Sequence, residues 1–526
     1  MKFTRSELLR AGAAGAVAVG AGGPLTRAAF GAASVEQLTR GGTLALAMIS
    51  GGQTETVRPG AAAQISDICR VSTLFDGLYR LGPDAVARPW LAESAESNND
   101  ATVWRFRLRD SVTWHDGKAL TADDVVDAIR GWADDKINYY ASFPKRVIDL
   151  RGVRTRGKLV VEIPLQLGVA QFPDMTAAYY YLIVRRDTKF GGSGRLAVGT
   201  GPFVYETFTP GKSSVFRANK DWWGQKGGPY VARLIVDSSY TDEGARVNAL
   251  LSGAADIVPV MPFALAKASV SNPSVVIQTA NGPNPYHFAC RVDIAPFKDR
   301  RVMQALKFLV DREAMVRAVF AGYADKGNDV LGRGMEFWPN LPVRPYDPGR
   351  AKALLKQAGY DGLQLTLNTS SYAAGMIEAA TLYAQQAQAG GVKLTVKKID
   401  PSVYYTYSGG WLKRPMMAGI VGAGSSVPCL SGYQFTNLMS GSAAGETHWG
   451  NPKHDAAALA VMRELNKAKA RAKWRALLEE QYQAGGYIVY ANPYAVDGYS
   501  KNVKGLKTTK AGTLDDNKLF LAWKSA

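Results

Sequence analysis

The chain has 526 residues, more than one ordinary hydrophobic core can hold, and its 47% hydrophobic and 21% charged residues are typical of a folded globular protein with two or three domains. The formal net charge is +18, but the basic residues are scattered, without the clusters or aromatic motifs of nucleic-acid binders, so we expect a basic solvated surface and no nucleic-acid partner. No stretch reaches the roughly 18 apolar residues that a membrane-spanning helix needs, and we expect a soluble mature chain.

Residues 1–33 are predicted to be an export signal. Basic residues begin the segment, an uncharged stretch rich in Ala and Gly follows at 11–26, and small residues near 29–34 suit a signal peptidase. The start resembles a twin-arginine signal in which Thr4 stands in place of the first arginine, so the Tat and Sec routes both stay open. No cysteine lies near the expected cleavage region. We therefore expect a periplasmic protein without a lipid anchor.

The stretch Trp104–Val126 carries the clearest local pattern. Trp104, Phe106 and Leu108 alternate with three arginines, which indicates a half-buried strand. A turn and a short returning strand at 112–114 follow. Thr121 then caps a helix that has acidic residues in its first turn.

Strands and helices alternate along much of the remaining chain, and the strand–helix–strand order between 363 and 399 favours a mixed α/β lobe. The other predicted elements are strands at 41–48, 363–367, 392–399 and 487–492, helices at 67–79, 373–389 and 468–482, a helix capped by Asp299, and a helix within 346–359 that ends at Gly359.

The stretch Trp104–Val126 resembles the signature of the family 5 (cluster C) extracellular solute-binding proteins, which include the dipeptide, oligopeptide and nickel receptors of ABC importers. Further runs that are similar to this family follow in its order and cover nearly all of 40–510. They are Phe75–Leu78, Ala87–Glu93, Val198–Val204, Asn219–Gly224, Ala245–Ile257, Pro296–Glu313, Trp449–Ala456 and Val503–Leu506.

The resemblance implies an α/β fold of the periplasmic-binding-protein-like type II class, a clamp of two mixed α/β lobes with an extra small domain. Because the family's chain crosses its hinge more than once, we expect a discontinuous lobe I at 34–80, 200–282 and 491–526. The extra domain is expected at 81–199 and lobe II at 283–490. The ligand is expected in the cleft between the closing lobes.

In peptide receptors of this family, a loop aspartate binds the α-amine of the peptide. The matching run here is Ile420–Pro428, and alignment on its proline places Gly424 at the aspartate position and Val421 at a tryptophan position. A buried ammonium needs a compensating carboxylate, because desolvating it unpaired is costly. The arginine that dipeptide receptors use for the peptide carboxylate is also missing from Thr369–Tyr372. We therefore expect a ligand other than an ordinary free dipeptide.

The candidate ligand-binding residues that remain are neutral. The loop offers backbone N–H groups and hydroxyls, and aromatic side chains near the family's cleft suit sugars, flat rings or cations, although packing in the core is an equally good expectation for several of the tyrosines. The candidates are Tyr286, His287, Tyr372, Tyr404, Trp411, Val421, Gly422, Gly424, Ser425, Tyr490 and Asn492, with Tyr405, Tyr407 and Ser426 beside them.

No catalytic set is recognisable, because the sequence has neither a Gly-x-Ser-x-Gly elbow nor a His-Glu-x-x-His motif. Cys69, Cys290 and Cys429 lack zinc-ligand spacing, and both one disulfide with an odd thiol and three free thiols stay open.

We therefore expect no enzyme activity, no cofactor and no metal. The chain is expected to be a monomer that captures a small solute (a peptide, a sugar or another molecule) and delivers it to an ABC permease at the inner membrane. The alternatives are an atypical or modified-peptide receptor, a receptor that presents ligand to a sensor, and a hydrolase.

Overall fold

In a computed structural model, the chain is described over residues 40–134, 138, 140–190, 197–282, 284–406, 408–421, 426–442 and 444–525. All of these residues belong to one compact unit, Leu38–Ala526. The predicted export signal lies outside the described residues.

The strands follow in chain order: β1 (Thr43–Ile49), β2 (Tyr79–Leu81), β3 (Ala87–Pro89), β4 (Ala92–Ser97), β5 (Val103–Leu108), β6 (Arg154–Thr155), β7 (Val160–Pro164), β8 (Phe203–Thr209), β9 (Ser213–Ala218), β10 (Arg233–Tyr240), β11 (Ile257–Val258), β12 (Val275–Ala280), β13 (Tyr286–Cys290), β14 (Ala324–Lys326), β15 (Gln364–Thr369), β16 (Lys393–Lys398), β17 (Met416–Ile420), β18 (Tyr487–Pro493), β19 (Ala495–Ser500), β20 (Val503–Lys504) and β21 (Trp523–Lys524).

The helices follow in the same order: α1 (Ile65–Leu74), α2 (Ala122–Gly131), α3 (Ser142–Val147), α4 (Phe172–Met175), α5 (Glu243–Leu251), α6 (Phe263–Ser269), α7 (Arg300–Phe308), α8 (Arg312–Val319), α9 (Pro348–Gln357), α10 (Met376–Gln388), α11 (Pro401–Tyr404), α12 (Leu430–Tyr433), α13 (Pro452–Met462), α14 (Lys467–Ala484) and α15 (Leu514–Asn517), the last a single turn with left-handed backbone angles.

A seven-stranded sheet has the order β12-β19-β11-β1-β10-β9-β8. Its central strand β1 pairs in parallel with β10 and β11. Leu44 and Leu46 in β1 are fully buried, and the whole strand is a nearly continuous apolar run, as expected of a strand that is covered on both faces.

A six-stranded sheet has the order β14-β18-β13-β17-β15-β16. The predicted strand–helix–strand unit is present as β15, α10 and β16, and the two strands pair in parallel, with Leu365 opposite Leu394. The ring of Phe288 in β13 stacks between Tyr383 of α10 at 4.5 Å and Tyr490 of β18 at 4.6 Å. These stacked rings join the helical layer to the sheet.

The two sheets are connected by neighbouring crossings of the chain. β12 pairs with β19 in the seven-stranded sheet, and β13 pairs with β18 in the six-stranded sheet. The chain crosses from β12 to β13 after Ala280 and returns from β18 to β19 at Tyr494, whose N–H donates to the Tyr323 carbonyl at 2.9 Å. Hydrogen bonding places 491–493 in the six-stranded sheet. The expected boundaries of the lobes and of the extra domain stay a prediction.

A four-stranded sheet has the order β4-β5-β7-β6, and the pattern predicted for the signature stretch is confirmed in β5. Trp104, Phe106 and Leu108 are buried, while Arg105 and Arg107 are exposed. Arg105 forms an ion pair at 2.8 Å with Glu162 on β7, whose side chain is 2% exposed. The arginines of this strand therefore make cross-strand ion pairs on its outer face.

The caps predicted for two helices are confirmed. The Thr121 hydroxyl accepts a hydrogen bond from the Asp124 N–H at the start of α2, and the Asp299 carboxylate accepts one from Arg301 at the start of α7. The returning strand predicted at 112–114 is reduced to one bridge between Thr113 and Ala119.

The helix predicted at 67–79 ends earlier, because Phe75 has extended backbone angles. Asp76 follows it, is 1% exposed, and accepts hydrogen bonds from Trp90 Nε1 at 2.7 Å and Thr200 Oγ1 at 2.9 Å. Trp223 Nε1 also donates to Asp76, at 3.3 Å. Four of the runs that resemble the family therefore meet at one buried carboxylate, and Asp76 reaches these partners because the chain has left the helix.

Arg70 on α1 is the centre of a buried ionic network beneath the seven-stranded sheet. It is fully buried and forms ion pairs at 3.0 Å with both Glu55 and Asp67. It also donates to the hydroxyls of Ser214 and Ser238. Each hydrogen bond offsets part of the cost of taking these charges out of water.

We predict that Arg70→Ala lowers the free energy of unfolding by about 3–5 kcal/mol, because it leaves buried carboxylates without their cation. The matched control is Arg88→Ala, which breaks a half-exposed pair with Asp84 and should cost less than about 1 kcal/mol. Urea denaturation followed by circular dichroism measures both losses. Equal losses in the two variants would contradict the importance of the buried network.

Candidate ligand-binding cleft

Several strands of the six-stranded sheet begin or end at the same edge of the sheet. Tyr286 at the start of β13 lies opposite Ile420 at the end of β17, and opposite Ala491 near the end of β18. β15 runs parallel to β17, so Thr369 at its end lies at the same edge. The chain crosses to the other sheet from this edge, and ligands of open α/β sheets bind beyond the carboxyl ends of strands.

The seven-stranded sheet presents the matching edge. β1, β10 and β11 run parallel, and the end of β12 pairs with the start of β19 at the crossing, with Ala280 opposite Ala495. The antiparallel pairing of β11 with β19 gives the parallel strands the same direction as β12. The carboxyl ends of strands in both sheets therefore lie toward the crossing, and we take the space between them as the candidate cleft.

Three aromatic side chains form what we call the sheet-side wall: Tyr372, Tyr405 and Trp411. The Tyr405 ring lies edge-to-face against Tyr372 at 4.7 Å and against Trp411 at 5.3 Å. The Tyr405 hydroxyl accepts a hydrogen bond from the Ile420 N–H at 3.0 Å, which attaches the wall to the end of β17. Tyr372 is 48% exposed, so this wall has an open face.

Three tyrosines that the sequence analysis did not select form a second aromatic cluster, which we call the opposite wall: Tyr140, Tyr179 and Tyr180. The Tyr140 and Tyr180 rings stack at 3.9 Å, and Tyr179 lies edge-to-face against Tyr180 at 5.0 Å. The Tyr180 hydroxyl donates to the Ser426 carbonyl. Both Tyr180 and Tyr179 are nearly fully buried.

An electrostatic interaction between the Tyr140 and Tyr372 hydroxyls connects the two walls. Burial raises the pKa of the Tyr140 hydroxyl, and the Tyr372 hydroxyl adds to that rise. Burial alone raises the pKa of Tyr372, and likewise that of Tyr286. These hydroxyls are therefore neutral at physiological pH, and they offer hydrogen bonds beside apolar ring faces.

Four of the predicted ligand residues lie inside the body of the molecule. His287, Tyr404 and Tyr490 are fully buried, and Asn492 is 2% exposed. The Tyr404 hydroxyl lies 2.6 Å from the Ala418 carbonyl and 3.1 Å from the Asn368 carbonyl, so it joins two strands of the sheet. Their contact with ligand stays a prediction.

The other predicted residues lie at the edge or outside the described residues. Tyr286 is half-buried and packs edge-to-face against Phe320 at 5.2 Å, and Val421 is 9% exposed at the end of β17. Gly422, Gly424, Ser425 and the neighbouring Tyr407 lie outside the described residues.

The sequence contains a pattern that could have pointed to the opposite wall, but it contains none that points to Glu446. Tyr139–Tyr140 and Tyr179–Tyr181 are runs of adjacent tyrosines, which are visible in the sequence. Glu446, whose carboxylate accepts a hydrogen bond from Trp411 Nε1 at 2.9 Å, is a single acid in a loop without any distinguishing pattern.

Cysteine reactivity and metal binding find little support among the described residues. The three cysteines are buried free thiols, and burial raises the pKa of the Cys69 thiol to about 12. Over the described ranges, His, Cys, Asp and Glu side chains form no group of three or more that could hold a metal ion. A search of the same ranges found no helix with both the length and the apolar character needed to cross a membrane.

We predict that Tyr404→Phe lowers the free energy of unfolding by about 1–3 kcal/mol, because two buried carbonyl groups lose a hydroxyl partner. Tyr372→Phe is the matched control, and at this half-exposed position the change should stay below about 0.5 kcal/mol. Urea denaturation measures both. A larger loss of unfolding free energy in Tyr372→Phe than in Tyr404→Phe would contradict the placement of Tyr372 in the wall and of Tyr404 in the core.

Comparison with known proteins gives a consistent result. The family model for bacterial extracellular solute-binding proteins, family 5 middle, matches residues 86–441. The glutathione-binding protein GsiB of Salmonella paratyphi A is 26% identical over 360 residues, which cover 66% of this chain and 68% of GsiB. Heme-binding protein A of Haemophilus influenzae is 28% identical over 297 residues, which cover 52% of this chain and 54% of that protein.

The solved structure of the periplasmic binding protein DppA from Helicobacter pylori, in complex with the peptide STSA, matches with a TM-score of 0.77 and 18% sequence identity. The match covers 93% of this chain and 99% of DppA. The structural likeness confirms the predicted α/β fold of the type II periplasmic binding proteins.

Proposed function

Because this chain belongs to the family 5 bacterial extracellular solute-binding proteins of ABC importers, we propose that it captures its solute between the sheet-side wall and the opposite wall and delivers it to an inner-membrane permease. The observation that carries this proposal is the approach of two aromatic walls at the edge where the chain crosses between its sheets. Closure about the crossings would bring the walls onto the solute and exclude water from it.

The walls suit a solute with a flat or apolar group and hydrogen-bonding atoms. Burial alone raises the pKa of the Tyr372 and Tyr286 hydroxyls, so neutral rings and hydroxyls dominate these positions. Such surfaces favour ring systems and sugars. The ligand is therefore a neutral or weakly charged solute and not an ordinary free dipeptide, since Gly424 occupies the position at which peptide receptors carry an aspartate.

A second candidate is a receptor for an atypical or modified peptide. The matched relative GsiB is a glutathione-binding protein, and backbone groups with tyrosine hydroxyls could bind a peptide whose amine is blocked or displaced. Both candidates share the same cleft and differ only in the ligand.

The location and the chemistry follow from the same proposal. Residues 1–33 direct export to the periplasm, where the chain works as a monomer. Capture and release need no covalent step, so the chain acts without enzymatic turnover. The matched family and relatives are binding proteins.

We expect that protein purified from its own host retains a bound small molecule. Native mass spectrometry should show a mass excess that disappears on denaturation, and small-angle scattering should show a more open particle once the molecule has been removed. A protein that carries no molecule, and whose scattering does not change on incubation with host extract, would contradict solute capture.

We also expect ordinary dipeptides such as Ala-Phe to bind more weakly than the micromolar range, because a desolvated α-amine would have no carboxylate partner at Gly424. Isothermal calorimetry on the ligand-free protein measures this. Gly424→Asp restores a carboxylate and should strengthen the binding of Ala-Phe but not of its N-acetylated form. Micromolar binding of Ala-Phe to the unmodified chain would overturn the exclusion.

A further inference from the structure

We propose that Glu446 is a positioning residue for ligand binding: it holds Trp411, and through Trp411 it holds Tyr405, in the sheet-side wall. This inference rests on the proposed function, because the wall is the surface that would contact the solute. Neither the sequence pattern nor the resemblance to the family assigns a role to Glu446.

The Glu446 carboxylate accepts hydrogen bonds from three side chains. Oε1 accepts from Trp411 Nε1 at 2.9 Å, and Oε2 accepts from His287 Nε2 at 2.9 Å and from the Tyr487 hydroxyl at 3.3 Å. Glu446 is 3% exposed and His287 is fully buried. The 2.9 Å distance from His287 Nε2 to the carboxylate fits the tautomer in which Nε2 is the donor.

These partners come from separate parts of the chain. His287 lies in β13, Tyr487 in β18, and Trp411 in the segment before β17, while Glu446 lies in the loop before α13. One carboxylate therefore joins two neighbouring strands to the segment that carries Tyr405 and Trp411. That segment is also attached to the sheet through the Tyr405 hydroxyl and Ile420, and through the Tyr404 hydroxyl and the Ala418 carbonyl.

Glu446 influences the cleft through contacts between aromatic rings. Trp411 lies against Tyr405 at 5.3 Å, and Tyr405 lies against Tyr372 at 4.7 Å. Each pair is edge-to-face, an arrangement that depends on ring orientation. A change in the orientation of the Trp411 indole therefore changes the face that Tyr405 and Tyr372 present to a solute.

With Nε2 of His287 as a donor, only a carboxylate can accept hydrogen bonds from all three side chains. A glutamine has one carbonyl oxygen, and its NH₂ group would point a donor at another donor. The N–H of the half-buried Trp411 indole would lose its acceptor, so the indole would turn toward another partner. The Glu446 charge also adds to burial in raising the pKa of the Tyr405 hydroxyl, which stays neutral.

Gly419 provides an independent route to the same interaction. A Cβ at this position of β17 would lie 2.8 Å from His287 Nε2 and 3.0 Å from the Tyr405 hydroxyl oxygen. Gly419→Ala therefore pushes His287 and Tyr405 away from their partners and leaves the carboxylate itself unchanged.

The test uses the full chain labelled with 5-fluorotryptophan, and Trp411→Phe identifies the Trp411 signal among those of the 11 tryptophans. We expect the fluorine resonance of Trp411 to shift or broaden in Glu446→Gln and in Gly419→Ala. The matched control Glu162→Gln removes another carboxylate, 2% exposed, from the four-stranded sheet and should leave the resonance unchanged. If Glu446→Gln does not fold, Glu446→Asp decides the outcome, because it keeps the carboxylate but shortens the side chain that reaches the Trp411 indole. An unchanged Trp411 resonance in a folded variant would overturn the proposal.

Ligand retention separates positioning from a general loss of stability. In native mass spectrometry of protein from the same host, Glu446→Gln should retain the co-purified molecule at an occupancy reduced by about tenfold. The double variant Trp411→Phe/Glu446→Gln should lose no more than Trp411→Phe alone, because the carboxylate acts through the indole. If the occupancy losses of the two single variants add in the double variant, Glu446 does not act through Trp411 and the proposal is overturned. A wild-type protein that carries no molecule, and whose scattering does not change with host extract, would contradict the proposed function, while the fluorine resonance would still decide whether Glu446 holds Trp411.

Discussion

The pairing of β12 with β19 and of β13 with β18 is the constraint on which the rest of the molecule depends. Each sheet contains one strand that leads into a crossing and one that returns from it. The two crossings are therefore neighbours, and the carboxyl ends of strands in both sheets lie toward them. A cleft at this position follows from the order of the strands, before any side chain is considered.

Aromatic side chains then line this candidate cleft. Tyr372, Tyr405 and Trp411 form one wall, and Tyr140, Tyr179 and Tyr180 form the other. Beside the opposite wall, Gln171 accepts hydrogen bonds from the N–H and the hydroxyl of Ser431, at 3.2 and 2.8 Å, within a buried interface. Since polar groups are buried only when they have partners, these bonds help to hold the segment of the opposite wall against α12.

Much of the fold was predictable because its signals are local. The alternation of Trp104, Phe106 and Leu108 predicts the buried face of β5, and Asp299 predicts the start of α7, since each pattern depends on the period of one element or on one turn. The end of α1 was missed for the opposite reason. Phe75 leaves the helix so that Asp76 can bond Trp90 and Thr200, and Thr200 is 124 residues away.

The sequence by itself determined the order of the elements, because that order depends on residue type and spacing, and its resemblance to a known family indicated the class of protein. Only the tertiary structure decided which tyrosines face the cleft. Tyr404 and Tyr405 are neighbours, yet one bonds two buried carbonyls and the other forms the wall. Glu446 likewise acquires its role from His287, 159 residues away, and from Trp411, 35 residues away. Contacts between residues so far apart in the chain produce no periodic pattern in the sequence. Only the packing of the sheets brings these residues together.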